Sequence, residues 1–471
     1  MNATRLCVPL AALCWAACAM AQPQERNASA QFAAERLSLP AGERLGLAGA
    51  GLLFDVAEGW RAGPEVWGAA TGERGGLFVG GLEVQRRFAL TRTWSLQAGL
   101  FAGGGGGGAA PVGGGLMLRP ALALLANLGG WQVGPSWSAV RFPSGDISSR
   151  QFGLLLSIDT RWQYFGAAQA GQPAGGAGPG FDLATVTVGQ YRLQAPDSRH
   201  VGMIGARAER REGDWRRGFE AAAAASGGAA GYMEILGSLA WDTEVLPSLR
   251  VGARAALGLG GGGGFDSGGG VIGKVAGTLG WRFLPGWQLG LEVGALDGLH
   301  GRPQARSAML TLATDTSPAP GSGGQVARVE WNAVIEHLTA AQRVDGTRSS
   351  LQAVGLGLNR ALGENVYLTA QAHSAFAGGA GAYSVGLVGA GLNTAPVGWQ
   401  FGAEALVGAA GGGGVASGGG AIVQSLAWAG VPLAGGRLRL AAGGVRSLRG
   451  GALSSPLVEI GWGQAFGVGS R

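Results

Sequence analysis

Apolar residues recur at every second position along most of this chain, which is the spacing of one face of a β-strand. Between residues 151 and 165, Phe152 and Leu154 begin an apolar set that alternates with a set containing Gln151 and Ser157. The same alternation is found at 250–260 and 271–283. Beyond residue 21, charged residues, Pro or runs of Gly interrupt every apolar stretch, whereas a spanning helix needs about 20 apolar residues. The pattern predicts an all-β protein.

The composition favours lipid over water as the solvent of the outer strand faces. Charged residues make up 14% of the 471 residues and hydrophobic residues 46%, whereas soluble domains carry about 25% charged residues. A disordered chain would be richer in charge, and collagen would have Gly at every third position. The alternative is a soluble β-sandwich, but low charge and many strands favour a closed transmembrane barrel. Tryptophans near segment ends are expected to form girdles at the two lipid interfaces: Trp94, Trp131, Trp287, Trp399 and Trp462.

Residues 1–21 are predicted to be a secretion signal. Arg5 precedes an apolar stretch at 6–18, and the small-residue pattern at 19–21 is typical of a cleavage site. A lipoprotein signal at Cys18 is disfavoured, because Trp15 stands where an aliphatic residue is expected. All three cysteines lie in this segment, so we expect no disulfide, thiolate metal site or cysteine nucleophile in the mature protein.

The last strand candidate resembles the assembly signal of Gram-negative outer-membrane β-barrel proteins. Glu459 is followed by Gly461, and the aromatic Phe466 stands near the end of the segment. The sequence departs from the signal at Gln464, where an apolar residue is usual, and in the trailing residues 467–471. The resemblance implies an antiparallel up-and-down barrel in the cell outer membrane. It also implies outer-membrane lipid and the barrel-assembly machinery as partners, and leaves an unidentified periplasmic or surface partner open.

Three glycine clusters divide the chain into a threefold internal repeat. They begin at Gly103, Gly260 and Gly411, which are 157 and 151 residues apart. Each copy holds about eight strand candidates, so about 22–24 strands are expected. We predict one large barrel rather than three small ones, because inward candidates are often Gly, Ala, Ser or single Arg and would fill a small barrel badly. The expected segments are a periplasmic or plug segment at 22–43 and a barrel at 44–471, with copies at 44–193, 194–345 and 346–471.

The glycine clusters have two interpretations. Glycine in strands marks bends or places where another backbone comes close. We favour corners that let a large sheet curve closed, with presentation of bare backbone to a partner as the alternative.

The basic residues are not arranged as a nucleic-acid surface. The net charge is +6, but no run of five basic residues occurs and Lys274 is the only lysine. Five basic residues are expected to line the lumen and to give a mild anion preference: Arg250, Arg254, Lys274, Arg282 and Arg161.

No motif points to catalysis, a cofactor or a metal. Residues 268–275 resemble a phosphate-binding loop, but Val275 replaces the hydroxyl residue that would bind magnesium. The four histidines form no pair with metal-binding spacing. His373 and Ser374 invite comparison with outer-membrane hydrolases, yet adjacent strand residues face opposite sides. We therefore expect no enzyme, and we interpret His373 as an interfacial hydrogen-bonding residue.

These observations favour a passive outer-membrane channel or export conduit. The alternative is a structural or surface-interaction barrel without an open pore, and a hydrolase is a distant third.

Overall fold

The computed structural model describes residues 21–174, 181, 183–194, 198–299, 304–316, 324–394 and 398–469. Residues 1–20, which include nearly all of the predicted secretion signal, lie outside this range. The described chain is built from 24 antiparallel strands and two short 3-10 helices, Pro40–Gly42 and Ala167–Gln169. Neither helix is long and apolar enough to cross a membrane.

The strands form three consecutive groups of eight. β1–β8 are Gln24–Ser38, Arg44–Ala57, Trp60–Thr71, Phe78–Ala89, Trp94–Gly106, Leu116–Asn127, Trp131–Arg141 and Ser148–Gly166. β9–β16 are Leu183–Leu193, His200–Glu212, Trp215–Ala224, Met233–Leu246, Leu249–Gly261, Val271–Leu284, Trp287–Gly298 and Gln304–Asp315. β17–β24 are Val326–Gln342, Arg348–Ala361, Val366–Ala377, Ser384–Asn393, Gln400–Gly411, Ala421–Leu433, Gly436–Ser447 and Ser454–Gly469.

Each group closes on itself as an up-and-down barrel. β1 pairs with β8 from Gln24–Tyr164 to Glu35–Gly153, β9 pairs with β16, and β17 pairs with β24. We call these barrels 1, 2 and 3. Only two residue pairs, Phe466–Gly166 and Gly467–Phe165, join β24 of barrel 3 to β8 of barrel 1.

The prediction of one large barrel is therefore wrong. The reason lies in how small inward residues are used. Gly391 leaves room for the ring of Tyr367, and Gly402 leaves room for the ring of Trp428; a Cβ at either glycine would overlap the aromatic side chain. Small residues alternate with large ones inside each barrel, so an eight-stranded interior is filled rather than left empty.

The predicted segment boundaries are also displaced by one strand. Residues 22–43 do not form a plug, because Gln24–Ser38 is the first strand of barrel 1. This segment looked polar because Ser29, Gln31 and Glu35 all face the barrel interior, where they are buried. Because the first predicted copy began at residue 44 instead of at β1, the predicted boundaries placed β9 in the first copy and β17 in the second. In the structure, β9 begins barrel 2 at Leu183 and β17 begins barrel 3 at Val326.

The outer faces of the strands form an apolar belt. Phe152 is 78% exposed and Phe219 62% exposed, although both lie within strands. Exposed tryptophans concentrate at one end of the barrels, so a single girdle is seen there instead of two: Trp60, Trp94, Trp131, Trp215, Trp281, Trp287 and Trp399. Burying this belt in lipid removes it from water, which is the arrangement of transmembrane barrels.

The two ends of each barrel differ in loop length. At the end that carries the girdle, β2–β3, β10–β11 and β22–β23 are each joined by two residues. At the other end, the fifth and sixth strands of each barrel are joined by the nine-residue loops 107–115, 262–270 and 412–420. We call these loops the glycine hairpins, and we call the two ends the turn end and the loop end.

Candidate functional site

The interior of barrel 2 is an ion-pair network. Arg207 binds Glu292 through both guanidinium Nη atoms, at 2.6 and 2.7 Å, and its Nε lies 2.9 Å from Glu220. Lys274 Nζ lies 2.7 Å from Glu220 and 2.9 Å from Glu234. Arg254 pairs with Glu209 and Glu220. Because these side chains are buried and neutralise one another, they fill the barrel instead of lining a solvated path.

The five residues predicted to line a lumen have different positions. Arg254 and Lys274 lie inside barrel 2, and Arg250 pairs there with Asp242 and lies 3.1 Å from Asp214. Arg161 and Arg282 are exposed near the turn end, where Arg161 lies 3.6 Å from Glu25. Since no wide lumen is formed, the interpretation of these residues as a selectivity lining is corrected.

The acidic partners in this network were missed by sequence reasoning. Glu209, Glu220 and Glu292 stand at inward positions of β10, β11 and β15. Their basic partners also stand at inward positions of their own strands. Acidic and basic residues both occur at inward positions of the second repeat copy, and this signal would have indicated ion pairs. The spacing of the acidic residues along the sequence gave no such indication, because they are dispersed.

Barrel 1 has a smaller polar centre. Arg119 binds Glu35 at 2.8 Å, and its guanidinium carbon lies 4.2 Å from the centroid of the Trp67 ring. Ser138 Oγ donates a hydrogen bond of 2.7 Å to the same carboxylate.

Barrel 3 holds a polar centre of another kind. Glu336, His373 and Glu459 bring their ligand atoms within 4.8 Å of one another. His373 is 2% exposed, so the prediction of an interfacial histidine is wrong. Ser374 faces the opposite side of β19 and its Oγ lies 3.2 Å from that of Ser384. The two adjacent side chains therefore do not form a nucleophile and base pair.

Apolar side chains close each interior between its polar centre and the loop end. In barrel 1 they include Leu45, Phe101 and Met117, which are fully buried. In barrel 2 they include Val201, Tyr232 and Ile272, and in barrel 3 Leu338, Leu351 and Tyr383. Each barrel therefore combines an apolar layer with a buried polar layer.

The glycine hairpins contact neighbouring barrels in a cycle. Gly75 of barrel 1 donates a backbone hydrogen bond of 2.7 Å to Gly268 of barrel 2. Gly381 of barrel 3 donates one of 3.0 Å to Gly113 of barrel 1. In barrel 2, a Cβ at Gly231 would touch the backbone of barrel 3 at residues 411–412. The contact repeats head to tail and closes after three barrels, as in a cyclic trimer.

The interpretation of the glycines as corners of a large sheet is therefore corrected. Each sheet already closes within eight strands, and the glycines lie where the backbones of two barrels approach. The meeting point, which we call the junction, encloses about 380 Å³ lined by all three barrels, including Gly76, Gly263, Ser384 and Gly412.

The three residues of the predicted assembly signal lie on β24. Glu459 faces the interior of barrel 3, and Gly461 follows on the same face. Phe466 lies on the outer face, where its ring centroid is 6.5 Å from that of Trp162 in barrel 1.

No protein-family model and no curated protein sequence matches the chain. Among solved structures, it is similar to OccAB3 of Acinetobacter baumannii (10% identity, TM-score 0.21), with 95% of this chain and 99% of that chain covered. It is similar to the outer membrane protein opdK of Pseudomonas aeruginosa (10%, 0.22), with 95% and 99% covered. A third match is the NanC porin (8%, 0.16), with 62% and 99% covered. Likeness at these TM-scores supports no inference about topology or solute.

The class of the protein follows from its own architecture. Its strands alternate between an apolar outer face and a polar inner face, and its sheets are closed. Short turns and tryptophans share one end, while longer loops occupy the other. These are the features of transmembrane β-barrels. The chain therefore has the architecture of a transmembrane β-barrel protein.

Proposed function

We propose that the protein is a structural or surface-interaction element of the outer membrane, and that its three barrels do not conduct solutes. The observation that carries this proposal is the filled interior of each barrel, where an apolar layer adjoins buried polar side chains. Barrels of eight strands have interiors that side chains can fill completely. A hydrated ion would have to displace both layers.

The orientation in the membrane follows from loop length. Outer-membrane barrels have short periplasmic turns and longer extracellular loops. On this rule the glycine hairpins and the junction face the cell exterior, where a surface partner would meet them. The apolar belt binds outer-membrane lipid, and β24 presents its signal to the barrel-assembly machinery during insertion.

Planar-bilayer recording tests the proposal. Refolded protein, whose closed state is checked by its altered gel mobility before boiling, is expected to leave the membrane silent. A general porin inserted under the same conditions is the positive control. Stable unit conductance steps from the folded protein would contradict the proposal.

A passive channel between the barrels is the second candidate function. The cavity of about 380 Å³ at the junction favours it, because residues from all three barrels line that space. If conductance steps occur, Ser384→Trp should reduce the unit conductance by filling the junction. Val344→Trp, at a position 75% exposed on the loop end, is the matched control and should not.

A further inference from the structure

A cluster inside barrel 3 has the composition of a metal site. Glu336 on β17, His373 on β19 and Glu459 on β24 all point inward, and their ligand atoms lie within 4.8 Å of one another. The side chains of Glu336 and His373 are 2% and 1% exposed. A nitrogen ligand and two carboxylates converge here from three different strands.

The imidazole of His373 has no hydrogen-bond partner for either ring nitrogen among the described residues. Nδ1 lies 3.3 Å from Glu336 Oε2, but the direction does not fit a hydrogen bond. Burying an unpartnered polar group is costly. A ligand on the imidazole would remove that cost.

Among the residues that the structure describes, no arginine or lysine forms an ion pair with either carboxylate. Glu336 and Glu459 stand directly opposite each other in the β17–β24 ladder, a position where like charges destabilise the pairing. Gln424 donates to both, at 3.3 Å each, but it is neutral. The neighbouring Arg439 is bound to Glu404 at 2.7 Å.

Comparison of the three barrels shows what barrel 3 lacks. The fourth residue of the sixth strand is Arg119 in barrel 1, Lys274 in barrel 2 and Gln424 in barrel 3. In barrels 1 and 2 this cation pairs with buried glutamates. Barrel 3 loses that positive charge and gains His373, at the position that Trp67 occupies in barrel 1.

We propose that barrel 3 binds one divalent transition-metal ion, with Zn²⁺ as the probe, through His373, Glu336 and Glu459. A ligand set of one imidazole and two carboxylates suits Zn²⁺, whereas Mg²⁺ and Ca²⁺ prefer sites made only of oxygen ligands. Gln424 orients the two carboxylates from outside the ligand set. The ion supplies the positive charge that Arg119 and Lys274 supply elsewhere.

The site is sealed toward the loop end. The next inward residues in that direction are Leu338, Ala375 and Leu457, and none is more than 1% exposed. The ion is therefore shielded on that side. Toward the turn end the next inward residues, Val334, Gln371 and Gly461, are only partly buried, so the ion exchanges through that end.

The test is to refold the untagged protein with Zn²⁺, remove unbound metal by gel filtration, and measure bound zinc by mass spectrometry. About one ion per chain is expected to elute with the folded protein and to be released on boiling with EDTA. Refolding with Co²⁺ should give a visible d–d absorption band whose intensity reports the low coordination number of a protein site. Wild-type protein that folds but retains no metal would overturn the proposal.

Variants locate the ion. His373→Gln and Glu336→Gln should each lose at least nine-tenths of the bound zinc and the Co²⁺ band. His337→Gln removes a histidine from the other face of β17, and Glu65→Gln removes one of three buried glutamates in barrel 1; both should retain the ion. If His373→Gln retains zinc, or His337→Gln loses it, the assignment fails. Should His373→Gln not fold, the Co²⁺ band of wild-type protein and Glu336→Gln decide.

Discussion

Single arginines tie the loops of each barrel together. Arg74 forms a fork with Glu43, at 2.8 and 2.7 Å, and donates a hydrogen bond of 2.8 Å to the carbonyl of Ala109 in the glycine hairpin. In barrel 3, Arg343 binds the carbonyls of Gly413 and Gly378 at 3.0 and 2.8 Å. One planar guanidinium thus fixes two or more loops.

The pairing of Glu43 makes loop-end stability depend on pH. The hydrogen bond from Arg74 lowers the pKa of Glu43 below its ordinary value. The ion pair therefore stabilises the folded state above the unfolded pKa of about 4.3, and this stabilisation is lost as pH falls through the lower folded pKa. Glu43→Gln should reduce the unfolding temperature at pH 7 by roughly 2–4 °C, since a half-exposed pair contributes about 1 kcal/mol at most.

Thermal unfolding in detergent at pH 7 and at pH 3 measures this effect. The difference from wild type should shrink at the lower pH. Glu58→Gln, at an exposed position on the turn end, is the control. A difference that persists unchanged at pH 3 would show that the charge of Glu43 is not the cause.

The face of the strand on which each side chain lies could be predicted from the sequence, but its ion-pair partners could not. The alternation assigned Arg254 and Lys274 to inward positions, and both are inside barrel 2. Their partners Glu220 and Glu234 lie 34 to 54 residues away along the chain, so only the closure of the sheet brings them together. The cluster at His373 was missed for the same reason, since its three ligands have no common spacing.

At the scale of elements, the glycine hairpins are the contact between barrels. Gly76 has φ +90°, and a Cβ there would overlap the amide of Gly262 in the next barrel. Gly130 has φ +96°, but nothing lies within 4 Å of its Cβ position. Both glycines have a left-handed backbone conformation, but only Gly76 has the backbone of another barrel in contact with it.

Substitution separates these two effects. Gly130→Ala should cost only the strain of the left-handed backbone, about 1–2 kcal/mol. Gly76→Ala should cost more and should loosen barrel 1 from barrel 2. The measurements are unfolding temperature and limited proteolysis between β8 and β9. Equal effects of the two substitutions would contradict the proposed role of the junction.

The strands themselves followed from period two, whereas their closure did not. The hydrogen-bonding edge of a strand does not by itself specify which strand pairs with it, and a repeat is compatible with one ring or three. What decides is how completely the inward side chains fill an eight-stranded interior. That filling depends on complementary sizes across the barrel, as between Gly391 and Tyr367.

At the scale of the whole molecule, the position of the loop end can be measured directly. Cysteine occurs only at residues 7, 14 and 18, so single cysteines report their own surroundings once the predicted signal is removed. Asp146→Cys lies at the loop end and Glu58→Cys at the turn end of barrel 1. In intact cells, an impermeant maleimide should label Asp146→Cys alone, and Glu58→Cys only after lysis.

Unsubstituted protein should stay unlabelled in this experiment, which also checks removal of the signal. The reverse labelling pattern would place the glycine hairpins in the periplasm and overturn the proposed surface role.

Covalent joining of the three barrels has a further consequence. In a homotrimer, a substitution occurs in all three identical subunits, so a residue must be compatible with all three barrel interiors. Here the position equivalent to Trp67 of barrel 1 is occupied by Ala222 in barrel 2 and by His373 in barrel 3. Fusion keeps the symmetric outer assembly while it allows the three interiors to specialise independently.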